Sequence, residues 1–259
     1  MSTAIIGGTG VEYLPLEGQK EVLADTPYGQ VEVTTGSLDG QEVMFLSRHG
    51  RQHVLPPHAV NYRGNIWALR ALGARKIIAT AAVGSLSPSL LPGDLVLPDQ
   101  FLDFTKKREG TFYQGGEGVL HVDMTEPYCP EIRNIILQSA SELQLKVQAQ
   151  GVYVCTEGPR FETPAEIRMF HQWGGDMVGM TGVPEVVLAR EGGLCYASIA
   201  LVTNMAAGIA DHPLSHAEVA AMTKSLGKTL AALLGRTLKN LGMERNCSCA
   251  RAAKEAGKF

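Results

Sequence analysis

Val154-Cys155-Thr156-Glu157-Gly158-Pro159-Arg160-Phe161-Glu162-Thr163-Pro164 begins as the end of an apolar strand, passes through a Gly-Pro turn and delivers the chain into a helix. The helix start is explicit in the residues. Thr163 stands at the N-cap, Pro164 at the first helical position and Glu166 three residues after the cap, which is the pattern of a capping box. A strand that feeds a helix through a short loop is the repeating unit of an α/β fold. The loop also has the makeup of a pocket wall, because Phe161 can cover a planar ring and the Glu162 carboxylate can accept from N–H groups. A carboxylate before a helix is ordinarily a solvated residue. Glu162 rises above that reading because Val202-Thr203-Asn204-Met205-Ala206-Ala207-Gly208 ends a second apolar strand on a matching amide.

Outward from this joint the chain alternates strands and helices. Ala4-Ile5-Ile6 is a short strand running into Gly7-Gly8-Thr9-Gly10, a turn whose glycines let backbone N–H groups approach an anion. As a bare glycine motif this is weak, and many such turns only reverse the chain. Val31 to Thr34 and Glu42 to Leu46 flank Asp39-Gly40 and predict a hairpin. The spacing of Ile66, Leu69 and Leu72 predicts a helix over 58–72, closed by Gly73. Lys76 to Leu86 is a buried strand ending in small residues, which let backbone amides face a ligand. Strands over 94–98, 146–155, 176–181 and 196–203 follow, with helices over 130–143, 163–173 and 184–191 between them. Ser215 and Glu218 open a last amphipathic helix to about Leu241. The expected organisation is one domain over 1–242 and a polar tail over 243–259.

Composition excludes several classes. The chain has 259 residues, 45% of them hydrophobic and 29 of them glycine, enough for one large α/β core. A formal net charge of −3, without Lys and Arg clustered among aromatics, gives no electrostatic footprint for nucleic acid. No apolar run suits a membrane span and the first residues do not resemble a signal peptide, so a cytoplasmic protein acting on a small molecule is expected. The five cysteines read as reduced core thiols. Cys247-Ser248-Cys249 has the spacing of a redox pair or half a metal site, but no other Cys pair or nearby His completes four ligands in the sequence, and a floppy tail is the stronger expectation.

Ser47-Arg48-His49-Gly50-Arg51-Gln52-His53 closes the hairpin's second strand. Two arginines and two histidines at a strand terminus can hold an oxyanion, Arg48 by its fork of donors and His49 by one more. The competing readings are a solvated loop and a metal on His49 and His53. The anion is placed first, because no carboxylate or thiol lies close in sequence and an intervening Arg would repel a cation.

Taken together, the segments 6–10, 47–51, Val60-Asn61-Tyr62-Arg63-Gly64-Asn65-Ile66-Trp67-Ala68-Leu69, 157–163 and Met180-Thr181-Gly182-Val183-Pro184-Glu185 resemble the trimeric purine nucleoside phosphorylase and methylthioadenosine phosphorylase family, in consistent order over roughly residues 3 to 241. The resemblance implies a single α/β domain with a mixed, partly barrel-like central sheet flanked by helices. It also implies a homotrimer with sites near the subunit interfaces, a role in purine salvage, and phosphate as cosubstrate without metal or organic cofactor. On the positions of this chain it implies a phosphate site of Thr9, Arg48, His49, the backbone at Ala81 and Ala82, and Thr181. Met180 would lie under the ribose, and Phe161, Glu162, Asn204 and Ala206 at the base, with Glu162, Asn204 and His49 carrying the chemistry.

The adenine-selective branch of that family uses two aspartates on the last strand and a serine after the Phe; here Asn204, Ala206 and Glu162 replace them. A 6-oxopurine presents an N1–H donor, which Glu162 can accept, and an O6/N7 edge that the Asn204 amide can serve. Inosine and guanosine are therefore the expected substrates. His216 matches the position where nucleoside phosphorylases carry a His near the 5′-hydroxyl. The segments 6–10 and 121–124 look closer to the methylthio-selective side, so methylthioinosine or methylthioadenosine is the alternative, and a non-enzymatic purine-binding protein a third reading.

Overall fold

The computed structural model describes residues 2–11, 14–116, 118–210 and 214–255, except for the side chains of His216, Lys254 and Glu255. Strands β1 (Thr3–Gly7), β2 (Glu17–Thr26), β3 (Gly29–Leu38), β4 (Gln41–Ser47), β5 (Lys76–Ser85), β6 (Leu95–Val96), β7 (Gln100–Phe104), β8 (Val147–Gln148), β9 (Val152–Thr156), β10 (Met177–Gly179) and β11 (Cys195–Met205) form one mixed sheet. Helices α1 (Tyr62–Ala71), α2 (Pro130–Glu142), α3 (Pro164–Gln172), α4 (Gly182–Glu191), α5 (His216–Asn240) and α6 (Cys249–Glu255) accompany it. The sheet is mixed as expected, and it does not close into a barrel.

The centre of the sheet is apolar on both faces, as a strand covered on both sides must be. Along β5, Ile77, Ala79, Ala81 and Val83 enter one core with Ile66 and Leu69 of α1 and Val186 and Leu188 of α4. Ile78 enters the opposite core with Ile132 and Ile136 of α2 and Leu230, Leu233 and Leu234 of α5. The strand period of two thus deals alternate residues to two helical layers. Each fully buried aliphatic side chain contributes roughly 1.5–3 kcal/mol through removal from water.

One pairing detail positions everything that follows. Strand β11 lies parallel to β5 from Lys76 to Ser85 and occupies that edge along its whole length. Strands β1 and β10 therefore share the other edge: β1 parallel along Lys76–Ala79, β10 antiparallel at Gly84 and Ser85. Among the described residues, no strand lies beside that edge of β5 from Thr80 to Val83. Opposite, the register of β11 shifts between Val202 and Asn204, a bulge that re-aims the residues after it.

Several element limits differ from the sequence expectation. The helix expected from His58 starts at Tyr62, because Asn61 is the cap: its Oδ1 accepts from Gly64 N at 3.0 Å and its Nδ2 donates to the Tyr28 carbonyl. Pro57–Ala59 is a separate 3-10 turn. The single strand expected over 146–155 is two, since β8 pairs β6 whereas β9 pairs β10 and β7. Strand β2 escaped the sequence reading because its face is mostly polar and exposed. The capping box at Thr163 and Glu166 and the Asp39-Gly40 hairpin turn, both residues at positive φ, are as expected. Among the described residues, no helix is long and apolar enough to cross a membrane.

The expectation of a floppy end at Cys247-Ser248-Cys249 is overturned. Cys249 opens α6, Cys249 and Ala252 are buried, and α6 packs against α4. Lys76 Nζ donates to the carbonyls of Gly242 and Glu244, Arg245 donates to the Gly193 carbonyl, and Glu131 accepts from the amides of Asn246 and Cys247. The cysteines were missed as a group because their partners stand far off in sequence, at Cys129 and Cys195.

Candidate active site

A cavity of about 370 Å³ opens where β5 lacks a neighbour. It lies beyond the carboxyl ends of β1, β4, β9, β10 and β11, the position where a split sheet leaves room for a ligand. Thr9, His49, Ala81, Ala82, Phe161, Glu162, Met180, Thr181, Asn204 and Ala206 all line it. Those are all the sequence-predicted site residues except Arg48 and His216. His216 begins α5, but its side chain lies outside the described residues; its neighbours Leu214 and Val219 contribute an apolar wall.

The floor is built by close backbone approach. Gly8 donates its N–H to Thr80 Oγ1 at 2.9 Å, and a Cβ at Gly8 would stand 2.4 Å from the Thr80 carbonyl oxygen and 2.7 Å from Arg48 Nη1. Only glycine lets the chain leaving β1 approach β5 that closely. His49 sits beside it, with Nδ1 2.8 Å from the Leu55 carbonyl oxygen and its ring stacked on His53 at 4.3 Å. Because a carbonyl only accepts, Nδ1 carries a proton. Thr181 caps α4 without a side-chain cap bond, so its hydroxyl is not engaged with the helix.

Arg48 departs from the expected arrangement. It lies beneath the floor rather than in the lining, 2% exposed, and its fork is engaged by Glu185: Nε to Oε2 and Nη2 to Oε1, both at 2.6 Å. Nη1 donates to the Thr80 carbonyl at 2.8 Å. Of the five guanidinium N–H groups, these three bonds leave one on each terminal nitrogen. Burial works against the Arg48 charge, but the Glu185 carboxylate outweighs it and holds the guanidinium protonated beyond its ordinary range. Tyr196 also donates to Glu185, at 2.7 Å. Glu185 has no exposed surface, and its place in the segment 180–185 does not by itself reveal its pairing with Arg48.

The opposite wall carries the carboxylate and the amide. Glu162, 8% exposed, accepts from Thr156 Oγ1 at 2.6 Å, and burial pushes its carboxyl above the usual range despite that bond. The bulge at Thr203 turns Asn204 inward. Thr203 Oγ1 is 2.8 Å from Asn204 Oδ1, and Asn204 Nδ2 donates to the Met205 carbonyl at 2.9 Å. With Oδ1 accepting, the amide is oriented and Nδ2 keeps a second hydrogen for the cavity. Phe161, 39% exposed, stands at the rim.

Gly158, at positive φ, holds the loop before Phe161 against Met180; a Cβ there would meet the Met180 sulfur at 2.6 Å. Arg108, another residue the sequence did not single out, ties this loop to α4. It donates to the carbonyls of Thr156, Glu157 and Val183 and to the Tyr62 hydroxyl.

A family model described as the phosphorylase superfamily matches residues 2–239. The chain belongs to that superfamily. This superfamily member is 54% identical to the probable 6-oxopurine nucleoside phosphorylase of Dictyoglomus turgidum, over 98% of this chain and 97% of that one. It is 49% identical to the probable S-methyl-5′-thioinosine phosphorylase of Methanopyrus kandleri, over 97% of each. The crystal structure of methylthioadenosine phosphorylase from Schistosoma mansoni with adenine superposes with a TM-score of 0.88 at 36% identity, over 94% of this chain and 92% of that one. Glu185 and Arg108 in this superfamily member are the two site-building residues that pattern alone does not reveal, because each acts through contacts across long sequence separations.

Proposed function

We propose that this protein is a purine nucleoside phosphorylase of 6-oxopurine nucleosides, releasing the free base and ribose 1-phosphate. The observation that carries the reading is a buried carboxylate and an oriented amide, Glu162 and Asn204, lining one cavity with Thr9, His49 and Thr181. A hypoxanthine or guanine ring offers N1–H to Glu162 and its O6/N7 edge to Asn204 Nδ2. Phosphate takes the floor, held by the Thr9 and Thr181 hydroxyls, His49 and the open edge at Ala81 and Ala82. Arg48 adds its remaining N–H groups, while Glu185 fixes its plane and cancels much of its field. Met180 lies under the sugar and Phe161 covers the base.

In the reaction a phosphate oxygen bonds to C1′ as the C1′–N9 bond breaks, and the electron pair leaves with the purine. Asn204 stabilises charge gathering at N7, and Glu162 fixes the ring so that the leaving nitrogen stands over the anion. No step in this scheme calls for a metal or an organic cofactor. Reduced thiols and the small substrate fit a cytoplasmic enzyme of purine salvage.

A second reading stands on Leu214 and Val219, whose apolar surface near the start of α5 suits a 5′-methylthio group better than a hydroxyl. Phosphorolysis of inosine, guanosine, methylthioinosine, adenosine and methylthioadenosine in one assay separates the two. Release of hypoxanthine or guanine from inosine or guanosine is expected to be fastest, with His216→Val lowering inosine turnover and raising that of methylthioinosine. Faster adenine release would remove the base assignment. Wild-type preference for methylthioinosine, indifferent to the substitution, would establish the second reading.

The assembly is read as a homotrimer. Val54 and Leu55 are exposed apolar residues on the cavity's rim, where a neighbouring subunit would cover them. Light scattering on the eluted peak should return three times the chain mass; a monomeric peak with full activity would refute this.

A further inference from the structure

The residues that overturn the tail expectation form a site of their own. The sulfurs of Cys129, Cys195, Cys247 and Cys249 all lie within 4.8 Å of one another, with Cys195 and Cys247 3.3 Å apart. They come from three distant places: Cys129 caps α2, Cys195 begins β11, and Cys247 and Cys249 flank the turn into α6. We propose that these four cysteines form a closed structural site for one zinc ion, distinct from the cavity that binds substrate.

The geometry favours a metal at the centre. Tetrahedral zinc with Zn–S bonds of about 2.3 Å spaces its sulfurs about 3.8 Å apart, a value that lies between the 3.3 Å Cys195–Cys247 separation and the 4.8 Å limit within which all four sulfurs fall. Two disulfides would require only two touching pairs, whereas here every sulfur is near every other. A set of four thiolates selects a soft divalent ion, zinc first among those, and leaves no open position for catalysis.

The surroundings fit the charge. Binding follows Zn²⁺ + 4 RSH → [Zn(SR)₄]²⁻ + 4 H⁺, so the loaded site carries two negative charges. Arg190, 4% exposed, points Nη1 at the Cys249 sulfur at 3.7 Å, and the Ile132 amide in the first turn of α2 lies against the Cys129 sulfur. Cys129, Cys195 and Cys249 are buried and Cys247 half-buried, which leaves one entry side. Zinc there would staple the C-terminal segment to the starts of α2 and β11, and through α6 it would brace α4, the helix that carries Glu185.

The test is made on the full-length chain purified with a phosphine reductant and no chelator. Elemental analysis is expected to give one zinc per chain. Replacement by Co²⁺ should give the intense thiolate-to-metal charge transfer and visible bands of a tetrahedral all-sulfur site. The double variant Cys247→Ser/Cys249→Ser is expected to retain no stoichiometric metal and to melt at lower temperature, with the KM values for phosphate and nucleoside unchanged. Cys155, buried against Val183 and outside the cluster, serves as the internal thiol reference. Reduced protein with all five thiols titratable that keeps neither Zn²⁺ nor Co²⁺ through dialysis would overturn the proposal. So would disulfides mapped among the four in protein prepared with equimolar zinc, or a cobalt spectrum that survives in the double variant.

Discussion

Glu162→Ala is expected to lower kcat/KM for inosine by about 30- to 1000-fold, which is roughly 2–4 kcal/mol of lost transition-state stabilisation. The size follows from burial: a charged acceptor in a nearly closed wall, already oriented by Thr156, is replaced by a gap, and the ring N1–H is left without a partner. The pH dependence follows from the same burial. Desolvation raises the Glu162 carboxyl, so protonation sets in at higher pH than for a solvated carboxylate. The ionised form accepts N1–H, and the acid limb of the inosine profile should therefore begin above the ordinary carboxylate range and vanish in Glu162→Gln. Linkage runs the opposite way for stability. A raised folded pKa stabilises the fold fully below the unfolded value and loses that contribution as pH rises through the folded one, so Glu162→Gln should be more stable than wild type at neutral pH. An unchanged acid limb in Glu162→Gln, with inosine turnover near wild type, would show that the carboxylate does not touch the base.

Glu185→Ala is expected to destabilise the fold by about 3–5 kcal/mol, the range for removing one partner of a buried ion pair. Arg48 would remain underground with its charge uncompensated and two of its three engaged donors released. Urea denaturation measures this directly. A rise in KM for phosphate larger than that for nucleoside should accompany it, because the plane of Arg48 is set by that carboxylate. Stability within about 1 kcal/mol of wild type would mean that solvent or another group can take the place of Glu185.

Features written locally were legible in the sequence. The Thr163 capping box, the Asp39-Gly40 turn, and the strand end that carries Asn204 each depend on residues within a few positions of one another, and each is present. What stayed hidden was pairing at a distance. Arg48 and Glu185 are 137 residues apart, and the basic cluster alone could not reveal that the arginine's fork is already engaged. Strand β2 was missed because an edge strand with polar residues on its exposed face lacks the alternation that marks a half-buried one. The four-cysteine cluster combines both difficulties, since only folding brings Cys129 and Cys195 to the segment that a composition reading set aside.

The gap along Thr80 to Val83 of β5 bears on how such an enzyme can change over time. The anion floor proposed there is made of peptide groups, and a peptide group has no codon. Point mutation can crowd Ala81 or Ala82, but of the single replacements only proline removes a backbone N–H, and within a central strand proline also costs a ladder hydrogen bond. Glu162, Asn204, Ala206 and the residues around the start of α5 are side chains, each a base change or two from a different polarity. On the proposed reading, the step common to every substrate is thus held largely by strand pairing, while the choice of substrate rests on side chains that one codon change can replace. Divergence from a shared ancestor is then expected to alter which nucleoside is split long before it alters what splits it.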